Sequence, residues 1–468
     1  MGNCPPAMPV PVHELRATSL KRLEDDPRWR RTTLASAHNT MTKHAAIHRR
    51  DGALHVEGVS AASLVASHGT PLFVYSRAAL MSAWDAWMAG IAASNRGVNG
   101  PEVKVHVAVK ANSNLGVLSV FARLGAGFDI VSGGELRRVL AAGGKAADVV
   151  FSGVGKSVEE IREALVAGVK CFNVESIPEL SRLDDIAGSL GMKAPVALRI
   201  NPDVDANTHA YNTTGKKGNK FGIDYGDARE AYAAAASMAH LDVCGVDCHI
   251  GSGITDTAPF IAAVDRVLDL VDILESNGIP IAHIDLGGGL GIDYGDGATP
   301  PPTPEFVKTI LDHVDKRGPR PVWFEPGRSL TAAAGLLLSK VEYLKPGPAG
   351  GKNFCIIDAA MNDLARPTVY GAFHRIEAVE ERVGDTEVYD VVGPVCESGD
   401  WLGRARELNV KVGDLLAVRD TGAYSFVMSS NYNTRPRAAE IIVDGESVHV
   451  VRKRETVEQL LSMETVLP

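Results

Sequence analysis

The chain has 468 residues, 45% hydrophobic and 22% charged, with a net charge of -9 and a pI near 5.9. That length exceeds one ordinary domain and suits two; the acidic balance argues against a nucleic-acid binder, and no apolar run reaches the ~20 residues needed to span a membrane. Six scattered cysteines point to free thiols and a cytoplasmic setting, and Cys244 and Cys248, with no second pair, make no zinc motif.

Residues 1–45 mix Pro, Arg and Ser without periodicity or the apolar centre of a secretory signal, and are expected to be a disordered extension. Residues 46–76 read as short strands with a turn at Asp51-Gly52. Eight β-rich runs then alternate with helical stretches: Val105–Val109, Phe128–Val131, Val149–Ser152, Cys171–Val174, Val196–Ile200, Val243–Ile250, Ile281–Leu286 and Pro321–Phe324. Strands apolar on both faces, each followed by a helix, predict a (β/α)8 TIM-type barrel over 77–330. A doubly wound sheet is the rival, but Gly-x-Gly-x-x-Gly is missing after the first strand.

Helix starts are marked by Ser132-Gly-Gly-Glu135, Ser157-Val-Glu-Glu160 and Ser176-Ile-Pro-Glu179, each with capping-box spacing. Beyond Ser329 the pattern changes. Cys355–Ile357, Glu387–Val392, Leu415–Val418 and Glu440–Val443 read as strands, with a hairpin turn at Asp444-Gly445. Residues 331–468 are therefore expected to form a mostly β domain that also takes in the strands of 46–76.

Active sites of such barrels lie at the C-terminal ends of the strands. The first strand runs into Lys110, where burial favours a neutral amine able to form an imine; the ordinary alternative is a lysine emerging into solvent. The sixth ends in His249-Ile-Gly-Ser252, an imidazole that can stack on a flat ring and a hydroxyl that can donate to phosphate. The seventh ends in Asp285-Leu-Gly287-Gly288-Gly289, where backbone N–H groups can close on an anion without Cβ interference. The eighth ends in Glu325-Pro326-Gly327-Arg328, a carboxylate that needs a cationic or protonated partner, or a plain ion pair. An amine, a stacking imidazole, a phosphate cradle and an acid for a pyridinium are together what pyridoxal phosphate requires.

With these motifs stand Ala108-Val-Lys110-Ala-Asn112, Phe128-Asp-Ile-Val-Ser-Gly-Gly-Glu135, Arg199-Ile-Asn-Pro202, Asn219-Lys-Phe-Gly222, Gly393-Pro-Val-Cys396-Glu397-Ser398, Gly422-Ala-Tyr424 and Ser430-Asn-Tyr-Asn-Thr-Arg-Pro-Arg437. Over about 46–468 the chain resembles the alanine-racemase-type pyridoxal-phosphate enzymes, and among them the diaminopimelate decarboxylase family. The resemblance implies that Lys110 carries the cofactor, Glu325 faces the pyridine nitrogen and His249 lies against the ring. It places Ser252, Gly287, Gly288, Gly289 and Tyr424 at the phosphate, with Pro326, Gly327 and Arg328 also at the cofactor. It implies Arg328, Arg366, Tyr370, Tyr424 and Glu397 as substrate contacts. Arg366 and Tyr370, four apart, would share one face of a helical turn.

Cys396 matches the family's catalytic cysteine, supplied across a homodimer interface, and no metal is expected. Val107 and Gly253 depart from the family, standing where tyrosine and glutamine are common. The expected reaction is removal of carbon dioxide from meso-2,6-diaminopimelate to give lysine. The alternatives are a decarboxylase of ornithine, lysine or arginine, a racemase, or an inactive relative that binds protein partners.

Overall fold

The structure, a computed structural model, describes residues 46–96, 100–205, 219–348 and 351–468; the expected extension over 1–45 lies outside them. Eight parallel strands close into a barrel: Val103–Ala108, Gly127–Ile130, Val149–Phe151, Cys171–Val174, Ala194–Asn201, Leu241–Asp247, His283–Asp285 and Val322–Phe324. Closure falls to the first strand, which sets Val107 level with Phe128 of the second and Val105 level with Phe324 of the eighth. Outward side chains such as Val107, Phe128, Phe151, Phe172 and Val196 lose their exposure beneath the helices. Each contributes roughly 1.5–3 kcal/mol by burial, so the wall holds without any covalent tie.

Every predicted barrel run is a strand, with ends that differ by a few residues. The caps differ more. Ser157 and Glu160 form the full reciprocal box at the start of Val158–Ala167. Ser132 caps Gly133–Ala141, but Glu135 takes the Val131 N–H instead of closing the box. Ser176 makes no side-chain cap; Glu179 instead accepts the Glu175 N–H at 3.0 Å with one oxygen and pairs with buried Lys156 at 2.7 Å with the other. The turn after the eighth strand is a single one, Arg328–Thr331. The helix Arg77–Ala93 supplies the missing cover, with Trp87 against Phe306 and Phe324 and Trp84 against Phe121.

The second layer is β-rich. Its spine is Gly335–Lys345, a strand that no run of β-branched residues announces. It pairs antiparallel with Leu72–Ser76, with Asn353–Ile357 and with Leu415–Arg419. Leu72–Ser76 also pairs, in parallel, with Ala439–Asp444, which turns at Gly445 into Ser447–Arg452. A separate core joins Leu54, Val56, Leu72, Val74, Leu336, Leu338, Ile441 and Val443. The turn between Ile47–Arg50 and Ala53–Val56 has positive φ at Asp51 (51°) and Gly52 (76°), the geometry such two-residue turns require. No described helix is long and apolar enough to cross a membrane.

Candidate active site

The barrel interior is polar at one end. Register sets Asp129 level with Ala108, and Asp247 level with both Arg199 and Asp285. Glu325 follows the eighth strand, its backbone N–H held by the Gly287 carbonyl at 2.7 Å. Carboxylate oxygens of Asp247, Asp285 and Glu325 lie within 4.8 Å of one another, all buried. On the N-terminal side Val150, Cys171, Ala197 and Trp323 form an apolar plug, with His106 and His283 against the Trp323 indole.

Removal from water penalises the charged form of these acids. Burial pushes Asp285 up to about 7, with Asp129 adding to the rise against the Gly287 N–H. Burial, then Asp129 and Asp285, raises Glu325 well above the carboxylate range. Asn173 donates to Glu325 Oε1 at 3.3 Å, and Ser152 donates weakly at 3.5 Å. Arg199 is tied to Glu175 at 3.0 Å, and Glu175 also accepts the N–H groups of Gly153 and Gly222.

Lys110 sits in the single turn Val109–Ala111 that follows the first strand, and its ammonium pairs with Asp129. This corrects the expectation of a neutral amine. Burial does work against the charge, but the carboxylates of Asp129 and Glu325 outweigh it and hold Lys110 above the ordinary lysine range. His249 is pushed the other way, well below the imidazole range, by burial and by the charges of Arg199 and Lys110. It is therefore neutral, and its Nδ1 accepts the Gly288 N–H at 3.2 Å.

The glycine run is tight for a reason. A Cβ on Gly288 would stand 2.3 Å from the Glu325 carbonyl oxygen, and one on Gly287 would stand 2.7 Å from the Cys248 oxygen. In this bend Gly287 donates to Asp285 at 2.9 Å and Gly288 to His249 at 3.2 Å. The Gly289 N–H donates to no described residue. Gly327 is equally constrained: a Cβ there would meet Ala111 at 2.7 Å and the Tyr424 hydroxyl at 3.3 Å. Ala108 donates to the Pro326 carbonyl at 3.1 Å, and Tyr424 donates to the Ala111 carbonyl at 2.7 Å. Those two bonds join the lysine turn to the Glu325 loop and to the β domain.

Arg328 donates to Ser252 at 3.1 Å and lies over the Tyr424 ring, 5.0 Å from its centre. Arg366 and Tyr370 do share one short helix, Arg366–Tyr370. Arg328 and Arg366 both donate to the hydroxyl of Tyr294, at 2.7 and 2.8 Å. Cys396 and Glu397 are exposed; Cys396 donates its N–H to Asn433, and Glu397 accepts from Tyr432. Among the described residues of this chain, neither bonds to Lys110, Glu325 or Arg328.

Several residues here were not picked out from the sequence as site residues: Asp129, Asn173, Glu175, Arg199, Asp247 and Tyr294. All but Glu175 and Tyr294 interrupt an apolar strand with a polar residue, which was their visible signal. Glu175 just follows a strand, and Tyr294 lies in a loop without such a signal.

Residues 89–332 match the family described as pyridoxal-dependent decarboxylase, pyridoxal binding domain. A Vibrio cholerae protein named diaminopimelate decarboxylase is 53% identical over 421 residues, covering 90% of this chain and 99% of that protein. One of the same name from Pseudomonas aeruginosa is 55% identical over 419 residues, covering 90% and 98%. The crystal structure of diaminopimelate decarboxylase from M. jannaschii in complex with L-lysine aligns with a TM-score of 0.84 at 38% identity, covering 90% of this chain and 98% of that one. Over nearly the whole described chain, then, sequence and fold agree: this protein belongs to the diaminopimelate decarboxylase family of pyridoxal-dependent decarboxylases.

Proposed function

We propose that the chain converts meso-2,6-diaminopimelate to L-lysine and carbon dioxide, the final step of lysine biosynthesis, with pyridoxal phosphate held at Lys110. The observation that carries this reading is the pair Arg328 and Arg366. Both are buried, at 7% and 6% exposure, and among the described residues neither has a carboxylate within 4 Å. Two buried guanidinium groups without an anion demand one, and a diamino diacid brings a second carboxylate to them. An ornithine-, lysine- or arginine-type substrate would bring a cationic end to the same place, which the pair repels. The matched M. jannaschii structure, solved with L-lysine, fits this reading.

The surroundings suit the cofactor. Lys110 offers the amine, Glu325 is a buried carboxylate short of a cation, and the glycine bend leaves the Gly289 N–H uncommitted where added side chains would clash. Ser252, Gly287, Gly288, Gly289 and Tyr424 would hold the phosphate, Pro326 and Gly327 would shape the adjoining wall, and His249, being neutral, would lie against the ring. When bound, the cofactor supplies the electron sink that lets a carboxylate leave as carbon dioxide.

The chain's own residues do the rest. Asp129 and Glu325 set the charge on Lys110, and Arg328, Arg366 and Tyr370 orient the distal head. The carbon that loses carbon dioxide must gain a proton, and Cys396 is the proposed donor. Its exposure, and a backbone N–H given to Asn433 in the β domain, support a site completed across a homodimer, with Glu397 of the partner subunit reading the distal ammonium. Free buried thiols at Cys171, Cys248 and Cys355 support a cytoplasmic enzyme.

The test is carbon dioxide release by the purified holoenzyme from meso-diaminopimelate beside lysine, ornithine and arginine. Release from the first alone is expected, and none from Lys110→Ala. Equal release from ornithine would overturn the substrate assignment.

A further inference from the structure

Tyr294 lies outside every motif that marks the site, yet it holds together Arg328 and Arg366, two cations that pair with no carboxylate among the described residues. It is 9% exposed, in the loop that follows the glycine run. Its phenolic oxygen accepts from Arg328 Nη1 at 2.7 Å and from Arg366 Nη1 at 2.8 Å, so both of its lone pairs are engaged. Its ring also serves: the Arg366 guanidinium is 5.1 Å and the Arg328 guanidinium 6.0 Å from the ring centre. The donors come from places far apart in the chain, 34 and 72 residues from Tyr294.

Two like charges this close repel. Burial first, and Arg328 after it, hold Arg366 below the ordinary guanidinium range, while at Arg328 the neighbouring tyrosines, Tyr294 foremost, outweigh burial and raise it. The phenol offsets that repulsion for both. The tyrosine is fixed from behind: the His374 ring stands edge-on to it at 5.3 Å, and His374 Nδ1 bonds the Arg419 carbonyl at 2.8 Å. Burial pushes His374 down to about 3, so no third positive charge is added there.

We infer that Tyr294 is a positioning residue for substrate choice: it sets the spacing of the Arg328 and Arg366 guanidinium groups so that together they accept one carboxylate. This rests on the proposed substrate and names what makes its distal head recognisable. Without the hydroxyl the two arginines separate, and a ligand with a carboxylate there loses more than one without.

The experiment compares wild-type and Tyr294→Phe holoenzymes, which differ by one oxygen atom. L-Lysine and 1,5-diaminopentane, the same carbon chain without the carboxylate, are used as competing ligands. For the variant, the KM for meso-diaminopimelate and the inhibition constant of L-lysine are each expected to rise about tenfold, the scale of a lost bond to a charged group. Inhibition by 1,5-diaminopentane is expected to stay within about twofold, and kcat to fall less than KM rises. The cofactor absorption band reports whether the variant is folded and loaded. Equal weakening of both ligands, unchanged L-lysine inhibition, or loss of the cofactor band would overturn the assignment. Failure of the proposed function has a different signature: wild-type enzyme would then show no preference for L-lysine over 1,5-diaminopentane.

Discussion

The Lys110 ammonium is paired with Asp129 on the neighbouring strand, a carboxylate with no solvent exposure of its own. The pair fixes the protonation of the amine that the proposed chemistry needs in neutral form. Asp129→Asn removes the dominant opposing charge, so the Lys110 pKa falls. The expected outcome is that apoenzyme of the variant captures pyridoxal phosphate covalently at a pH at least about one unit lower than wild type. Borohydride trapping across a pH series measures it, and an unshifted midpoint would show that Asp129 does not control the amine.

Cys396 is expected to act in the partner's site. Cys396→Ala should lower kcat about 10²–10⁴-fold with full cofactor content. Mixing it with Lys110→Ala under subunit exchange should restore about a quarter of wild-type activity, because a randomly assorted heterodimer has one intact site. No recovery on mixing would place the cysteine and the lysine in the same chain's site.

Gly288→Ala tests the bend. Its Cβ would press a backbone carbonyl, which has no rotamer by which to yield. A loss of about 1–3 kcal/mol is expected, with weaker retention of cofactor on dialysis. Thermal unfolding with and without added cofactor separates the two effects.

Asp285 makes stability depend on pH. Burial has raised its folded value from 3.8 to about 7, so between about 4 and 7 the folded protein holds a proton that the unfolded chain releases. Its contribution therefore favours the fold at the acid end and is lost as pH rises through 7. Asp285→Asn should raise the unfolding midpoint more at pH 8 than at pH 5, and it keeps the oxygen that accepts from Gly287. A gain larger at pH 5 would contradict the sign.

The barrel was legible because each strand is an apolar run bounded by caps and glycines, and Lys110, His249, Gly287 and Glu325 stand directly at strand ends. The long strand Gly335–Lys345 was not legible. Its Leu-Leu-Leu start lacks both alternation and β-branching, and it is extended because strands flank it on either side. The inward-facing Asp129 and Asp247 showed only as polar breaks in apolar runs, since nothing local says which face of a strand looks inward. The Tyr294 bridge depends on three distant segments meeting, which no local pattern encodes. The Lys110 charge was misjudged for the same reason, because its partner lies on another strand.

Leu72–Ser76 lies between Gly335–Lys345 and Ala439–Asp444, so an early segment is hydrogen-bonded on both sides to late ones. On the ribosome that strand must wait, edges bare, while some 260 residues of barrel are made. The barrel is thus free to close before its neighbour can assemble. A nascent chain stalled short of Ala439 would carry a finished cylinder beside an unfilled sheet edge, a ready target for chaperones or for a second unfinished chain.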